Sequence, residues 1–200
     1  VLASDAPAPG GGSTAALEGA LGAALTAMVC GLTTVGKSRE KYAEYQEFVL
    51  ASQKKALDLK ARFVDVMDRD TEAFNVVSAA FGMPKATDEE KTARSAAIQK
   101  GLEGCTRTPF EMMELSCKAL EMTHELLGKT NDSAASDLGC AALHLGSAVQ
   151  GAWLNVLINL GSVRDAAFAA QYRTRGQILL DEALPLAQSI YDRVLKAVQG

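Results

Sequence analysis

Two long stretches without a charged residue constrain this chain more than any other feature. Residues 19–36 and 138–163 contain no Asp, Glu, Lys or Arg, and each approaches or exceeds the ~18–20 residues with which a helix crosses a bilayer. Both are rich in Ala, Gly, Ser and Thr rather than large apolar side chains, and the second contains His144, Asn155 and Asn159. The pattern therefore predicts helices at the centre of a helical bundle, enclosed by other helices, and not membrane spans.

The composition favours an all-α fold. The 200 residues include 34 Ala and 17 Gly but only four Ile. Ala is the best helix former, whereas β-branched residues such as Ile favour strands. We expect a single domain over residues 1–200, built as an up-and-down bundle of about six helices with two buried Ala/Gly-rich helices at its centre.

Charge and cysteine usage limit the partners and the compartment. The chain has 20 basic and 24 acidic residues, a net charge of −4 and no cationic run, so we expect no nucleic-acid partner. The four cysteines show no CxxC spacing and the chain has only two histidines, so we expect no metal site. Unpaired cysteines and the lack of a visible signal peptide favour a cytoplasmic protein.

Capping residues and apolar periodicity predict where the helices begin and end. We expect Ser13 to cap the first helix, Thr87 and Glu90 to form a capping box, and Pro109 to begin a helix of its own. Small residues recur on one side of the first helix, so another backbone can approach it closely. The expected helices are residues 13–35, 40–81, 87–102, 109–127, 134–160 and 164–198.

Residues 31–38 match the phosphate-binding pattern GxxxxGK[ST]. That loop binds phosphate when a strand leads into it and a helix leaves it. Here the preceding residues are helix-forming Ala and Gly, and no parallel sheet is expected. The match therefore does not predict a nucleotide site.

A glycine-rich segment leads straight into the first helix: Pro7-Ala8-Pro9-Gly10-Gly11-Gly12-Ser13. Free N–H groups and the helix dipole at such a position could hold a carboxylate or the polar edge of a ring. The alternative is an ordinary tight turn with a Ser cap. Three consecutive glycines favour a binding site, because a cap needs only one.

Asp70 interrupts the apolar stripe of the long second helix, whose members recur in steps of three and four. Burial there would disfavour the charged form and raise the pKa of Asp70 towards the range useful for proton transfer. The alternative is a structural carboxylate that pairs with a basic residue or accepts backbone hydrogen bonds.

The fifth helix carries a polar stripe. Asp137, His144, Asn155 and Asn159 lie close to one face of it, and polar groups on an apolar helix line a cleft or satisfy buried partners. Asp137 and Asn155 would be about 27 Å apart, so they share a small site only if the helix bends or a second chain joins them. The spacing favours a symmetric homodimer with its sites at the interface. His144 is more typical of a packed, hydrogen-bonded residue than of a catalyst.

Together these motifs resemble the cyclodeaminase/cyclohydrolase family, whose members include the C-terminal domain of formiminotransferase-cyclodeaminase and stand-alone methenyltetrahydrofolate cyclohydrolases. The glycine segment is followed by Ala-Ala-Leu and then Gly-Ala-Leu-Gly-Ala-Ala-Leu. Further matches, in the family's order and across almost the whole chain, are Gly36-Lys37, residues 70–74 (Asp-Thr-Glu-Ala-Phe), Pro84-Lys85, residues 89–91 (Glu-Glu-Lys), Ser136-Asp137 and residues 155–160 (Asn-Val-Leu-Ile-Asn-Leu). Residues 33–35, Thr-Thr-Val, depart from the commoner version, which contains an aromatic residue before Gly-Lys.

The resemblance implies an all-α homodimer that acts on the one-carbon unit of a tetrahydrofolate. In cyclodeamination, N10 of 5-formiminotetrahydrofolate attacks the formimino carbon and ammonia leaves, which gives 5,10-methenyltetrahydrofolate. In cyclohydrolysis, water attacks the methenyl carbon and the ring opens to 10-formyltetrahydrofolate. Both reactions need a group that moves protons and no metal or redox cofactor, so the tetrahydrofolate substrate is the only expected ligand.

The resemblance also assigns residues. Asp137 and Asp70 are the acid/base candidates. The candidate substrate-binding residues are Gly10, Gly11, Gly12, Ser13, Lys37, Asn155 and Asn159. Cyclodeaminase is the leading hypothesis and cyclohydrolase the alternative, with a formiminotransferase as a further possible partner. A non-catalytic helical protein that binds folate is the rival hypothesis from another class.

Overall fold

The computed structural model describes all residues from 1 to 200. It contains six α-helices and no strand, so the all-α prediction is confirmed. The helices are α1 (Gly11–Thr33), α2 (Gly36–Lys41), α3 (Gln46–Phe81), α4 (Asp88–Glu125), α5 (Ala135–Leu160) and α6 (Ala166–Gln199), with 3₁₀ turns at Ala43–Tyr45 and Asp132–Ala134.

The predicted starts of α4 and α5 agree with the structure. Thr87 and Glu90 form the expected capping box at the start of α4, and α5 begins within one residue of its predicted start. The long helix predicted from residue 40 instead comprises α2, the first 3₁₀ turn and α3. The phosphate-loop match at residues 31–38 runs from the last turn of α1 into α2, with no strand before it.

The prediction that Pro109 begins a separate helix is wrong. Pro109 lies inside α4, which continues without a break from Asp88 to Glu125. A proline lacks the N–H that would bond the carbonyl four residues earlier, which here belongs to Cys105. The side-chain Nδ2 of Asn159 on α5 donates to that carbonyl at 2.8 Å. A helix-breaking residue is therefore tolerated because a distant side chain satisfies the backbone group that it frees.

The prediction that Ser13 caps α1 is also wrong. The helix begins at Gly11 with Gly10 at the cap position and no side-chain capping bond. Ser13 lies within the first turn, and its hydroxyl donates to Asp70 Oδ2 on α3 at 3.0 Å. This tertiary contact replaces the local capping bond that the sequence suggests.

The long helices alternate in direction, as an up-and-down bundle requires. α1 runs antiparallel to both α3 and α5. Its start lies beside Asp70 of α3 and Asn155 of α5, its middle lies beside Ala141 of α5, and its last turns lie beside Gln53 of α3. α3 and α5 flank α1, α4 packs across the back of all three, and α6 packs on α4 and α5. One end of the bundle therefore collects the start of α1, the second half of α3 and the last turns of α5.

Glycine allows the helices around α1 to pack at close range. A Cβ on Gly19 would lie 2.2 Å from the ring of Phe63 on α3, and one on Gly22 would lie 2.6 Å from Leu145 on α5. Phe63 and Leu145 are both fully buried, so neither side chain can move aside without disturbing the core. The close helix approach expected from the small residues of α1 is confirmed at these two positions.

The predicted burial of α1 and α5 on all sides is confirmed only in part. Both helices are long and apolar enough to cross a membrane, and 56% and 50% of their apolar windows are buried within the bundle. The remaining side of each helix is turned away from α4 and carries exposed apolar residues, and α3 continues this surface. We call it the open face; its residues are Leu17, Leu21, Met28, Leu32, Leu50, Leu57, Val64, Leu143, Leu154 and Ile158.

Two glycine-to-alanine substitutions test the packing around α1. Gly19→Ala should lower the free energy of unfolding by about 1–3 kcal/mol, because the new methyl group overpacks against Phe63. Gly104→Ala in α4 is the matched control, since a Cβ there meets nothing within 4 Å. It should leave stability unchanged or raise it by up to about 1 kcal/mol. Urea denaturation of both variants measures the difference, and equal stabilities would contradict the packing account.

Candidate active site

A cleft of about 310 Å³ lies where the start of α1, the second half of α3, one turn of α4 and the last turns of α5 meet. It is not the largest cavity of the bundle, but it is the one that collects most of the predicted site residues. Its lining residues are Pro7, Ala8, Gly10, Gly11, Gly12, Asp70, Thr71, Phe74, Cys105, Asn155, Ile158 and Asn159. No Lys, Arg or His is among them.

Asp70 is the ionisable carboxyl group of this cleft. Burial raises its pKa above the ordinary value of 3.8, and hydrogen bonds from Ser13 and Thr108 oppose this rise without cancelling it. The Ser13 hydroxyl donates to Oδ2 at 3.0 Å and the Thr108 hydroxyl to Oδ1 at 3.5 Å. No basic side chain pairs with Asp70. A carboxyl group in this setting can give or take a proton more readily near neutral pH than an exposed one.

The glycine segment gives Asp70 and Asn155 the space they occupy. A Cβ on Gly12 would lie 2.5 Å from Asp70 Oδ2, and one on Gly11 would lie 3.2 Å from Asn155 Nδ2, whereas Gly10 has open surroundings. Two of the three glycines therefore let cleft side chains approach the α1 backbone. This function is additional to turning the chain, which one glycine would accomplish.

The two asparagines of α5 are held by backbone carbonyl groups. Asn155 Nδ2 donates to the Gly151 carbonyl at 2.8 Å. Asn159 Nδ2 donates both to the Asn155 carbonyl and to the Cys105 carbonyl, each at 2.8 Å. The bond to Cys105 connects α5 to α4 at the cleft, and the three bonds together fix the orientation of both amides.

Sequence reasoning missed the contribution of α4 to this cleft. Thr108 bonds to Asp70, and Cys105 lines the cleft, where burial and the nearby charge of Asp70 raise the pKa of its thiol to about 11. The thiol is therefore neutral at physiological pH. Both residues precede Pro109, where the sequence predicts the start of a separate helix. In the structure, residues 105–109 instead form one continuous turn of α4 that faces α3 and α5.

Lys37 and Asp137 lie at the opposite end of the bundle from Asp70. Lys37 is exposed in α2, just beyond the end of α1, and Asp137 lies in the first turn of α5. Because α1 and α5 each run the length of the bundle, a single chain does not bring Lys37 or Asp137 to the cleft. Of the predicted residues, the chain assembles Gly10 to Ser13, Asp70, Asn155 and Asn159, and leaves these two apart.

His144 has a partner outside the cleft. Its Nδ1 contacts the carboxylate of Glu18 across the α1–α5 interface, with about a third of each side chain exposed. This pairing agrees with the interpretation of His144 as a packed, hydrogen-bonded residue.

Comparison with known sequences decides the family. The profile of the family described as formiminotransferase-cyclodeaminase matches residues 1–177. The chain belongs to the formiminotransferase-cyclodeaminase family.

Relatives in the formiminotransferase-cyclodeaminase family carry two different names. A methenyltetrahydrofolate cyclohydrolase of Methylorubrum extorquens is 39% identical over 98% of this chain and 93% of its own length. A formimidoyltransferase-cyclodeaminase of Sus scrofa is 38% identical over 96% of this chain, which spans about a third (35%) of that relative. The chain is thus similar to enzymes of folate one-carbon metabolism, and the names alone do not select one reaction.

A solved structure of the family has the same fold. The crystal structure of formiminotetrahydrofolate cyclodeaminase from Thermotoga maritima matches the whole of this chain and 92% of that chain. The TM-score is 0.80 and the sequence identity is 25%. The helical architecture that forms the cleft is therefore shared with this cyclodeaminase.

The raised pKa of Asp70 predicts a pH-dependent stability difference for Asp70→Asn. The folded protein holds this proton more tightly than the unfolded chain, so ionisation of Asp70 costs folding free energy once the pH rises through its folded-state pKa. Asp70→Asn should be more stable than the parent protein at pH 7–8. This advantage should shrink as the pH falls towards 3.8, because the parent carboxyl group then becomes protonated.

Urea denaturation of both proteins between pH 4 and pH 8 measures this dependence. Asp68→Asn is the matched control, because Asp68 is exposed on the same helix. A stability difference for Asp70→Asn that does not change with pH would contradict the burial account.

Proposed function

We propose that this protein acts on the one-carbon unit of a tetrahydrofolate and that its reaction is the cyclodeamination of 5-formiminotetrahydrofolate. Membership of the family supports the substrate class. The observation that carries the proposal is Asp70, a half-buried carboxyl group with a raised pKa in a cleft at the start of a glycine-led helix. The reaction needs a proton donor and acceptor beside the reacting carbon, and Asp70 has both capacities.

In this proposal Asp70 moves the protons while N10 forms the new bond. N10 attacks the formimino carbon, the C–N10 bond closes a five-membered ring, and the Asp70 carboxylate takes the proton that N10 loses. Protonation of the formimino nitrogen by the Asp70 carboxyl group then lets the C–N bond break and ammonia leave. The product is 5,10-methenyltetrahydrofolate. Because both reacting atoms belong to one molecule, positioning in the cleft supplies much of the rate enhancement.

The remaining cleft residues have binding roles in this proposal. The Ser13 and Thr108 hydroxyl groups hold the Asp70 carboxyl group in place. Asn155 and Asn159 face the pterin, and the free backbone N–H groups of Gly11 and Gly12 at the start of α1 offer donors to its oxygen and nitrogen atoms. The tetrahydrofolate is the only ligand that this mechanism requires.

Cyclohydrolysis of 5,10-methenyltetrahydrofolate is the second candidate reaction. The relative named as a cyclohydrolase is similar over nearly its full length, which favours this alternative. In that reaction Asp70 would take a proton from the attacking water, and the ring would open to 10-formyltetrahydrofolate. A formiminotransferase is proposed as a partner only for cyclodeamination, since the vertebrate relatives carry that activity in their names.

The open face supports a homodimer. It extends over three adjacent helices, and its ten residues are all apolar and between 42% and 73% exposed. Large exposed apolar side chains grouped on adjacent helices in this way are typical of a protein interface. We propose that a second copy covers it, and that the protein works as this dimer in the cytoplasm, where its four free cysteines remain reduced.

The direction of the helices predicts how such a dimer completes the site. If the two-fold axis is perpendicular to α1, the Asp70 end of one copy lies beside the end that carries Lys37 and Asp137 in the other. Asp137 then reaches the substrate as a second acid/base group, and Lys37 pairs with a carboxylate of the glutamate tail. The antiparallel arrangement thus accounts for the separation of these residues in the single chain.

The first functional prediction concerns which reaction is catalysed. With 5-formiminotetrahydrofolate, the wild-type protein should release ammonia and produce the absorbance of the methenyl product. Rapid loss of that absorbance from supplied 5,10-methenyltetrahydrofolate, without acceleration of the first reaction, would identify a cyclohydrolase instead. Binding of both folates without turnover would favour a non-catalytic folate-binding protein and contradict the proposal.

The second prediction tests whether the site is shared between copies. Asp70→Asn and Asp137→Asn should each lose at least about 10²-fold in rate while remaining folded. The two variants are then co-expressed with different affinity tags and purified through both, so that each dimer contains one copy of each. One of its two sites then has both aspartates, and about half of the wild-type activity should return.

The contrary outcome of this experiment is equally specific. If Asp70 and Asp137 of the same copy served one site, every site in the mixed dimer would carry one substitution and activity would stay low. A near-normal rate for Asp137→Asn alone would remove Asp137 from the mechanism.

The third prediction concerns the open face. Leu21→Glu places a charge near the middle of the α1 surface and should convert the dimer to a monomer, because an unpaired charge is costly to bury. Ile178→Glu is the control, since Ile178 is a comparably exposed apolar residue (51%) on α6, outside the open face. Light scattering measures the molar mass of both variants. A dimeric Leu21→Glu protein would contradict this interface.

A further inference from the structure

The turn of α4 that precedes Pro109 contacts the cleft in two places. Pro109 has no N–H, so the carbonyl of Cys105 lacks its usual partner within the helix, and Asn159 Nδ2 donates to it instead at 2.8 Å. Thr108, the neighbour of Pro109, donates to Asp70 Oδ1 at 3.5 Å. This one turn therefore contacts both the carboxyl group and an amide of the cleft.

The bond to Cys105 determines which atom of Asn159 remains available. An amide nitrogen has two protons to donate, and Asn159 uses them on the Cys105 and Asn155 carbonyl groups. Oδ1 is thus the only remaining hydrogen-bonding atom of the side chain, and no residue of the chain bonds to it. No buried side-chain nitrogen or oxygen lacks a partner, so this oxygen is accessible, and the side chain lines the cleft.

The side-chain amide of Asn155 is likewise bonded to the chain only through its nitrogen. Its Nδ2 donates to the Gly151 carbonyl at 2.8 Å, and its Oδ1 has no partner within the chain. Asp70 and both asparagines, whose amide oxygens have no partner in the chain, line a cleft that contains no cationic side chain. The polar groups that α3 and α5 present are therefore matched to a ligand with N–H groups.

We propose that Pro109 is a positioning residue: by freeing the Cys105 carbonyl it holds Asn159 with Oδ1 towards the cleft, where that oxygen accepts a hydrogen bond from an N–H group of the bound tetrahydrofolate. The identity of the ligand rests on the function proposed above. The connection between Pro109 and Asn159 rests on the hydrogen bonds alone.

Pro109→Ala separates the positioning role from a structural one. The new N–H at position 109 bonds to the Cys105 carbonyl in the ordinary helical way and competes with Asn159. KM should rise about tenfold with kcat little changed, because the lost hydrogen bond is made to substrate and transition state alike. The midpoint of thermal unfolding should equal or exceed that of the wild type, since proline is unfavourable inside a helix.

Pro185→Ala is the matched control. Pro185 is the other proline inside a helix, in α6, away from the cleft, and no side chain donates to the Asp181 carbonyl that it frees. This substitution should also preserve or raise the unfolding midpoint, but it should leave KM unchanged.

A double-mutant cycle with Asn159→Ala tests the coupling directly. Asn159→Ala alone should raise KM to a similar extent and lower the unfolding midpoint, because it leaves the buried Cys105 carbonyl without a partner. In the Pro109→Ala background, Asn159→Ala should lower the unfolding midpoint less, because the Cys105 carbonyl then has its own N–H partner. It should raise KM no further, because the contact between Asn159 and the ligand is already lost in that background.

Three results would overturn the proposal. They are an unchanged KM for Pro109→Ala, additive effects in the cycle, and a shifted pH profile for Pro109→Ala, which would assign its effect to the Thr108–Asp70 contact. If the wild-type protein turns over neither folate, the proposed function fails, and the stability arm of the cycle still decides whether Pro109 and Asn159 are coupled.

Discussion

The contact between Asp70 and the start of α1 is the interaction on which the cleft depends. A carboxyl group placed on the inner side of a long helix must be hydrated, paired or hydrogen-bonded. Here hydroxyl groups from α1 and α4 bond to it, and the missing side chain of Gly12 leaves room for it. The same contact brings three helices together at one end of the bundle. Asp70 stays half-buried in this contact, so the pKa of its carboxyl group is raised while the residue lines the cleft.

Close packing makes this arrangement possible and also limits it. Small residues on α1 let α3 and α5 approach on either side, so the polar ends of three helices meet within one small cleft. The neighbouring helices cover only part of α1 and α5, however. The other side of each of these two helices stays exposed as part of the open face. A second copy would cover this surface and bring Lys37 and Asp137 to the same cleft. The fold and the cleft of the single chain thus depend on one distribution of small residues, and the proposed dimer would depend on it as well.

Sequence reasoning identified the residues whose signals are local or break a pattern. Asp70 was detectable as a carboxylate in an apolar stripe, the glycines as more than a cap requires, and the asparagines as polar groups on an apolar helix. The boundary at Pro109 was misplaced because the partner of the Cys105 carbonyl lies 54 residues further along the chain. Ser13 was misassigned for the same reason, since its hydroxyl bonds to a side chain 57 residues away. Contacts of this range arise only when the helices pack.

The most direct test of the account is a crystal structure of the protein with a non-reactive folate analogue bound. The account predicts that the pterin lies in the cleft at the start of α1, within hydrogen-bonding distance of Asp70 and of Asn159 Oδ1. It also predicts that Asp137 of the second copy borders the same ligand. An analogue bound elsewhere, for example in the charged groove between α3 and α4 near Lys55 and Lys118, with the Asp70 cleft empty, would contradict it.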